Sequence, residues 1–217
     1  MNATHRHFGI IPDGARRWSK REGQSLKDAY CECVARIVKL AEMALLAGYD
    51  EVSVYCLSAA NLQRSAQEVA AVFDTMRAAL HLLEPLVQAD RFQALRVIGE
   101  TERLPVDLQQ RLLRLEQRST EPAGSRLNLL FAYDAWAELQ RAHQRAGERP
   151  LQCADFDVQS PLQVVFRSAS GVLLSGFLPF QSQYAHLLVS EQLFNDLSDD
   201  DLRAVLQRAE RLDHWMG

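Results

Sequence analysis

The chain has 217 residues, of which 47% are apolar, and its formal net charge is −4. It is long enough for one well-filled core and has no stretch typical of a linker, so we expect a single domain over 1–217. The acidic balance argues against a nucleic-acid binder, which usually carries a basic face. No run approaches the roughly 20 apolar residues that cross a bilayer, and the N-terminus lacks the apolar core of a signal peptide. We therefore expect a cytoplasmic protein with no transmembrane segment and with its four cysteines reduced.

Short apolar runs recur along the chain between longer helical patterns. Five of them are rich in valine, isoleucine, leucine or aromatic residues and predict strands buried on both faces, and a sixth is weaker. In chain order they are HFGII (7–11), EVSVYCL (51–57), ALRVIGE (94–100), RLNLLFAY (126–133), LQVVFRS (162–168) and the weaker HLLVSE (186–191).

Apolar residues at helical spacing lie between these runs. They predict a helix ending at Gly48, a long apolar helix over 66–88, a helix after Pro105, a helix over 134–147 and a last helix that begins at Ser198. This alternation predicts an α/β fold, with a mainly parallel six-stranded sheet and helices on both faces. Ligands of such folds bind at the carboxyl ends of the strands.

The stretch GIIPDGARRWSKREG (9–23) follows the first strand and has two interpretations. In the first, Asp13 caps a helix whose basic first turn faces solvent. In the second, Asp13 anchors Mg²⁺, Gly14 lets backbone N–H groups approach an anion, and Arg17 with its neighbours binds phosphate oxygens.

Two later strand ends carry similar chemistry. CLSAANLQRSAQEV places Ser58, Asn61 and Arg64 after the second strand, and the fifth strand is followed by Ser168 and Ser175, with Arg167 at its end. Three such groups on one rim favour a polyanion site. The apolar face of the 66–88 helix is then either plain core or the wall of a pocket for a hydrocarbon tail.

Together these residues resemble the cis-prenyltransferase family, whose best-known members are undecaprenyl diphosphate synthases. The resemblance covers nearly the whole chain and rests on three motifs: His7-x-x-Ile10-Ile11-x-Asp13-Gly14-x-x-Arg17-Trp18; Ser58-x-x-Asn61-x-x-Arg64 followed by Gln67-Glu68-Val69; and Arg167 through Phe177-Leu178, then Gln181 and Tyr184-Ala185. It implies a parallel-sheet fold, a homodimer, an apolar tunnel, Mg²⁺, and an allylic prenyl diphosphate that loses pyrophosphate when an acceptor attacks.

The resemblance also implies roles for individual residues. Asp13, with Mg²⁺, would hold the donor diphosphate, and Ser58 and Asn61 would be the other catalytic residues. The substrate-binding residues would be Gly14, Arg16, Arg17, Trp18, Tyr30, Arg64, Arg167, Ser168 and Ser175.

Departures in the first half of the chain point to one branch of the family. Chain-elongating members have Asn-Gly where this chain has Ala15 and Arg16, an arginine and a histidine in place of Leu26 and Tyr30, and a glutamate after the two serines of the second motif. The pattern here resembles that of the lavandulyl and cyclolavandulyl diphosphate synthases, which join two dimethylallyl diphosphates head-to-middle.

Departures in the second half affect the acceptor. Leu173 replaces the second arginine of the last motif, and His186 replaces the late glutamate that helps to bind Mg²⁺. Because a neutral imidazole is a poor ligand for so hard a cation, His186 is either a weak second metal ligand, a general base, or a plain replacement.

These observations lead to a short-chain prenyltransferase that uses a donor like dimethylallyl diphosphate, with irregular condensation as the expected reaction. Two alternatives stay open. One is prenyl transfer to an acceptor without a diphosphate, and the other is a catalytically silent partner subunit.

Overall fold

The computed structural model describes residues 5–83, 92–117 and 124–212. Six strands form one sheet in the order β3-β4-β2-β1-β5-β6, and every neighbouring pair is parallel. The strands are β1 (His7–Ile11), β2 (Glu51–Tyr55), β3 (Ala94–Ile98), β4 (Arg126–Leu130), β5 (Val164–Arg167) and β6 (His186–Val189). The predicted sheet is confirmed, although five of the six predicted strands were two or three residues too long.

Six α-helices lie in the described part of the chain. They are α1 (Ala15–Glu22), α2 (Leu26–Leu46), α3 (Ala66–Ala79), α4 (Val106–Gln117), α5 (Ala135–Ala146) and α6 (Asp199–Glu210). Local sequence explains their ends: the Ser25 hydroxyl accepts a hydrogen bond from the Asp28 N–H, and Ser198 caps α6 in the same way. The predicted 66–88 helix becomes α3 and a short 3₁₀ turn (Leu80–Leu82), and its last part, 84–88, falls outside the described residues.

The two faces of the sheet are covered unequally. One face packs Phe8, Val54 and Phe166 against α2, α3, α4 and α6 in the larger core. The other face carries a smaller core that includes Ile11 and Phe177, where α5 is joined to two irregular segments. The buried Glu138 of α5 makes that connection, accepting hydrogen bonds from the Val158 N–H and the Gln181 amide. Helices therefore lie on both faces, as predicted, but most are on one.

No helix within the described ranges is long and apolar enough to cross a membrane. All four cysteines are free thiols.

Candidate active site

A cavity of about 520 Å³ opens at the carboxyl ends of β1, β2 and β5. Most of the residues predicted to bind or transform the substrate line it together. They are Asp13, Gly14, Arg16, Arg17, Tyr30, Ser58, Asn61, Arg64, Arg167 and Ser175. Three strand ends that are far apart in sequence therefore form one site, because parallel strands end at the same edge of the sheet.

The turn after β1 brings its backbone close to the cavity. Gly14 has φ 110° and precedes the first residue of α1, and a Cβ at this position would lie 2.9 Å from a methyl carbon of Leu193. Only glycine fits that conformation and that space. The N-terminus of α1, with its unpaired N–H groups, consequently faces the cavity mouth.

The Asp13 carboxylate binds arginines and does not cap the helix. Arg167 Nη2 donates to Asp13 Oδ2 at 2.8 Å, and Arg17 Nη2 lies 3.6 Å from Oδ1. The N-cap of α1 is Gly14, which makes no side-chain cap hydrogen bond. The interpretation of Asp13 as a helix cap is therefore wrong, because its two oxygens are engaged by guanidinium groups.

The turn after β2 holds Ser58 and Asn61 in a fixed geometry. The Ser58 hydroxyl accepts from the Asn61 N–H at 3.1 Å, and Asn61 Oδ1 accepts from the Ser58 N–H at 3.2 Å. This reciprocal pair starts a 3₁₀ turn (Ala59–Gln63), so the Asn61 amide nitrogen remains available to a ligand in the cavity.

Arginines surround the rest of the cavity mouth. Arg16 Nη1 donates to Glu68 Oε1 at 2.8 Å, which links α1 to α3. Arg64 approaches the Tyr30 hydroxyl, whose pKa is raised by burial although the nearby Arg64 and Arg16 charges act in the opposite direction. Tyr30 therefore stays neutral and lies beside Arg64 in the cavity lining.

The inner wall of the cavity is apolar. It is formed by residues of α2, of α3 with the turn that follows it, and of the carboxyl end of β4. These residues are Cys33, Val34, Ile37, Val72, Met76, Ala79, Leu80, Leu83, Leu129 and Phe131. Burial raises the pKa of Cys33 to about 12, so this thiol remains neutral and behaves as a small apolar side chain. A cationic mouth over an apolar wall suits a ligand with an anionic head and a hydrocarbon tail.

Three predicted site residues are not on the cavity surface. Trp18 is not part of the lining, and its side chain lies near Asp196. Ser168 is buried behind Asp13, where its hydroxyl accepts from the Asp13 N–H at 2.9 Å and lies 2.8 Å from the Asp13 carbonyl. Ser168 thus positions the backbone of Asp13 without facing a substrate.

His186 is the third of these residues. It is the first residue of β6 and pairs with Val164, the first residue of β5. Arg167, at the carboxyl end of β5, pairs instead with Val189, which lies three positions after His186. That spacing is roughly 10 Å along the strand. Within one chain the structure therefore does not bring His186 to Asp13, since β6 presents it at the amino edge of the sheet.

One residue of the cavity lining, Tyr55, was not predicted from the sequence. In space it lies between the residues of the second motif and those of the third. Its hydroxyl donates to the Ser175 carbonyl at 3.2 Å and is close to Ser58, while burial raises its pKa to about 12. Its position as the last residue of β2, directly before the Ser58 turn, was the signal available in the sequence.

The donor set can be compared with the needs of Mg²⁺. Asp13 offers one partly exposed carboxylate, and no group of three or more metal-ligating side chains exists among the residues described. One carboxylate fits the mode in which Mg²⁺ takes most of its other ligands from water and substrate phosphates. Asp13 is therefore the residue that would hold the metal, which would neutralise charge on a departing diphosphate.

The fold and the site together define a class of protein: a parallel α/β protein with a cavity at the carboxyl edge of its sheet that joins a cationic mouth to an apolar wall. Residues 11–217 match the family model described as putative undecaprenyl diphosphate synthase, and the chain belongs to this family. The resemblance found in the sequence is thereby confirmed. The protein is a prenyltransferase of the prenyl diphosphate synthase type, which transfers a prenyl group and releases diphosphate.

Individual relatives cover most of the chain. An isoprenyl transferase of Campylobacter jejuni (strain RM1221) is 25% identical over 219 residues, which is 98% of each protein. The ditrans,polycis-undecaprenyl-diphosphate synthase ((2E,6E)-farnesyl-diphosphate specific) of Escherichia coli (strain K12) is 27% identical over 216 residues, covering 93% of this chain and 85% of that protein. The crystal structure of lavandulyl diphosphate synthase from Lavandula x intermedia, in complex with dimethylallyl diphosphate, has a TM-score of 0.82 at 23% identity, covering 96% of each chain. This last similarity establishes the shared fold.

Proposed function

We propose that the protein is a short-chain prenyltransferase that uses an allylic diphosphate such as dimethylallyl diphosphate and joins it to its acceptor by irregular, head-to-middle condensation. The observation that carries the proposal is the cavity, which joins a mouth lined by four arginines and Asp13 to an apolar wall. The mouth fits a diphosphate, and the wall fits the prenyl group attached to it.

Different residues of the cavity mouth would contribute to the ionisation of the donor diphosphate. Arg17, Arg64 and the N–H groups of α1 would bind the diphosphate, and Asp13 would hold the Mg²⁺ that stabilises it as a leaving group. The bond between C1 and oxygen then breaks, and its electron pair leaves with the diphosphate. The acceptor alkene forms the new carbon–carbon bond to the allylic cation, and the proton lost from the product cation passes to the released diphosphate.

Irregular condensation is supported by the residues that distinguish this chain from elongating synthases. Tyr30 stands where those enzymes have a histidine, and it contacts Arg64 inside the cavity. Arg16 stands where they have glycine and pairs with Glu68 at the mouth. The similarity in fold to a lavandulyl diphosphate synthase that binds dimethylallyl diphosphate is consistent with this choice.

The cavity also bears on the length of the donor. Its wall follows α3 and the next turn from Val72 to Leu83, a path of roughly 16 Å at the helical rise per residue. A five-carbon chain spans only about one helical turn of 5.4 Å, so the wall is long enough for a longer prenyl chain. Geranyl diphosphate therefore belongs in the test beside dimethylallyl diphosphate.

A specific observation favours one alternative acceptor. The arginine of the acceptor motif, Arg167, is bound to Asp13, Ser175 and the Leu173 carbonyl, and Leu173 itself is exposed. An acceptor without a diphosphate is therefore a second candidate. A homodimer, as in the family, belongs to the same proposal, whereas a silent partner subunit would have no evident use for Asp13.

The test is an incubation with labelled dimethylallyl or geranyl diphosphate and Mg²⁺, with and without isopentenyl diphosphate, followed by phosphatase treatment and mass spectrometry. We expect a ten-carbon alcohol from dimethylallyl diphosphate alone, and none from the Asp13→Ala variant. Products that lengthen only when isopentenyl diphosphate is present would contradict irregular condensation. No product under any condition would favour the acceptor without a diphosphate or the silent subunit.

A further inference from the structure

We propose that Arg167 acts as a fixed counter-ion of Asp13, which positions this carboxylate and prevents it from holding a divalent cation until a diphosphate is bound. The inference rests on the proposed function, in which Asp13 is the metal ligand. It gives Arg167 a role on the donor side, whereas the family motif places this arginine at the acceptor.

Strand register brings Arg167 to Asp13. Arg167 is the last residue of β5 and pairs in register with Ile11, the last residue of β1. Both strands therefore end at the same edge of the sheet. Ser168 continues the contact, because its hydroxyl bridges the backbone N–H and carbonyl of Asp13. The two loops are thus joined through both backbone and side chain.

The Arg167 guanidinium is held on several sides. Nη2 donates to Asp13 Oδ2 at 2.8 Å, and Nη1 donates to Ser175 Oγ at 2.7 Å and to the Leu173 carbonyl. The whole residue is only 8% exposed. Its Nε is buried without a hydrogen-bond partner and faces Gly171, where an added Cβ would fall inside contact distance. A side chain enclosed in this way keeps its place beside Asp13 unless one of these neighbours changes.

Arg17 completes the positive surroundings of the carboxylate. Its Nη2 lies 3.6 Å from Asp13 Oδ1 and also donates to the Ala169 carbonyl at 3.1 Å. A divalent cation at Asp13 would therefore lie next to two guanidinium groups, and the repulsion is strong in a partly buried site. A bound diphosphate supplies the negative charge that balances all three cations, so metal and diphosphate should bind together.

The same contacts limit what Arg167 can give to an acceptor. Three of its five N–H groups are already used, and the buried Nε–H is not accessible to a ligand. The guanidinium therefore interacts mainly with the Asp13 carboxylate, and little of it is available to an acceptor.

The experiment measures Mn²⁺ binding to the intact protein by electron paramagnetic resonance, in the absence of any diphosphate. We expect weak binding by the wild type and at least about tenfold tighter binding by Arg167→Met, because one fixed positive charge is gone. Arg64→Met is the matched control, since it removes a cavity guanidinium that contacts Tyr30, and it should change the affinity by less than about threefold. The double variant Arg167→Met/Asp13→Asn should return to the wild-type value.

Gly171→Ala provides a second route if Arg167→Met does not fold. Its Cβ would clash with Arg167 Nε and lie 2.9 Å from Nη2, so the guanidinium has to shift from its present contacts although no charge changes. We expect this shift to loosen the pair with Asp13, so Mn²⁺ should bind more tightly than to the wild type. Equal Mn²⁺ affinity of the wild type, Arg167→Met and Gly171→Ala would overturn the inference.

A separate measurement tests the proposed function beneath it. Retention of a thiolodiphosphate analogue of dimethylallyl diphosphate, measured by equilibrium dialysis, should increase with Mn²⁺ in the wild type but not in Asp13→Asn. If Asp13→Asn responds to Mn²⁺ like the wild type, Asp13 is not the metal ligand, and the proposed metal role fails whatever Arg167 does.

Discussion

The two ends of the sheet use similar residues in opposite ways. At the amino edge, Glu51 is fully buried and accepts hydrogen bonds from the Asn128 amide at 2.6 Å and from the Ser160 hydroxyl, and it lies 2.9 Å from His5 Nε2. At the carboxyl edge, the side chain of Asp13 is 38% exposed and lies among arginines around an open cavity. One carboxylate is enclosed by its partners, while the other is open to a ligand.

The pKa values and charges of the residues at the two edges show the same difference. Burial lowers the pKa of His7 to about 4, so it remains neutral and its Nε2 hydrogen-bonds Ser53 Oγ at 2.8 Å. Burial alone would raise the pKa of Glu51, but the positive charge that His7 carries below about pH 4 and hydrogen bonds from Ser160, Asn128 and His5 lower it to about 2. The amino edge thus pairs its carboxylate internally, with Arg126 Nη1 3.6 Å from Glu51 Oε2, whereas the cavity lining has four guanidinium groups for one carboxylate. An unbalanced, accessible charge indicates a binding site, and a balanced, buried one indicates a structural role.

Asp13→Asn should have the largest effect, and it should act on catalysis alone. The substitution removes the charge that would hold the metal, so we expect prenyl transfer to fall by at least about 10³-fold. Because the side chain is partly exposed and the amide oxygen of asparagine can still accept from Arg167 Nη2, its thermal unfolding midpoint should stay close to that of the wild type. Product formation from labelled dimethylallyl diphosphate and a thermal melt measure the two effects, and a variant that loses activity by unfolding would contradict this assignment.

Glu51→Gln should show the reverse behaviour. Removing the charge from this buried network leaves its partners poorly matched, and we expect the free energy of unfolding to fall by about 3–5 kcal/mol. Urea denaturation measures that loss. The activity per folded molecule should not change at a temperature where the variant remains folded, and a selective loss of activity would show that the amino edge takes part in catalysis.

His7→Gln should have a smaller effect, seen mainly in the dependence of stability on pH. Between pH 6.5 and about 4 the unfolded chain protonates this histidine while the folded protein keeps it neutral. The free energy of unfolding of the wild type should therefore fall as the pH decreases through this window, by up to about 3 kcal/mol.

The variant lacks this titration, so its stability should be lower at neutral pH but should change less between pH 6.5 and 4. Urea denaturation at half-unit pH steps measures both curves. Parallel curves for the wild type and His7→Gln would mean that His7 is not held neutral by the fold.

Much of the fold and part of the site could be predicted because they depend on local patterns. Apolar runs located all six strands, and the cap residue Ser198 defined where the last helix begins. The motif residues Asp13, Ser58 and Arg64 were predicted at one rim, and the cavity brings them together. The missed residue, Tyr55, lay inside a predicted strand, where an aromatic residue is usually part of the core.

The sequence by itself determined the succession of strands and helices along the chain, the parallel type of the sheet and the presence of an anionic-ligand motif after β1, since periodicity and capping act between residues close in the chain. Only the tertiary structure decided which residues of the different motifs meet. Arg167 and Asp13 are separated by 154 positions and pair because β1 and β5 are neighbours in register. The same register places His186 at the opposite edge, away from Asp13, so within one chain the interpretation of His186 as a second metal ligand beside Asp13 is not supported. Contacts of this kind depend on strand order and register, which no local pattern specifies.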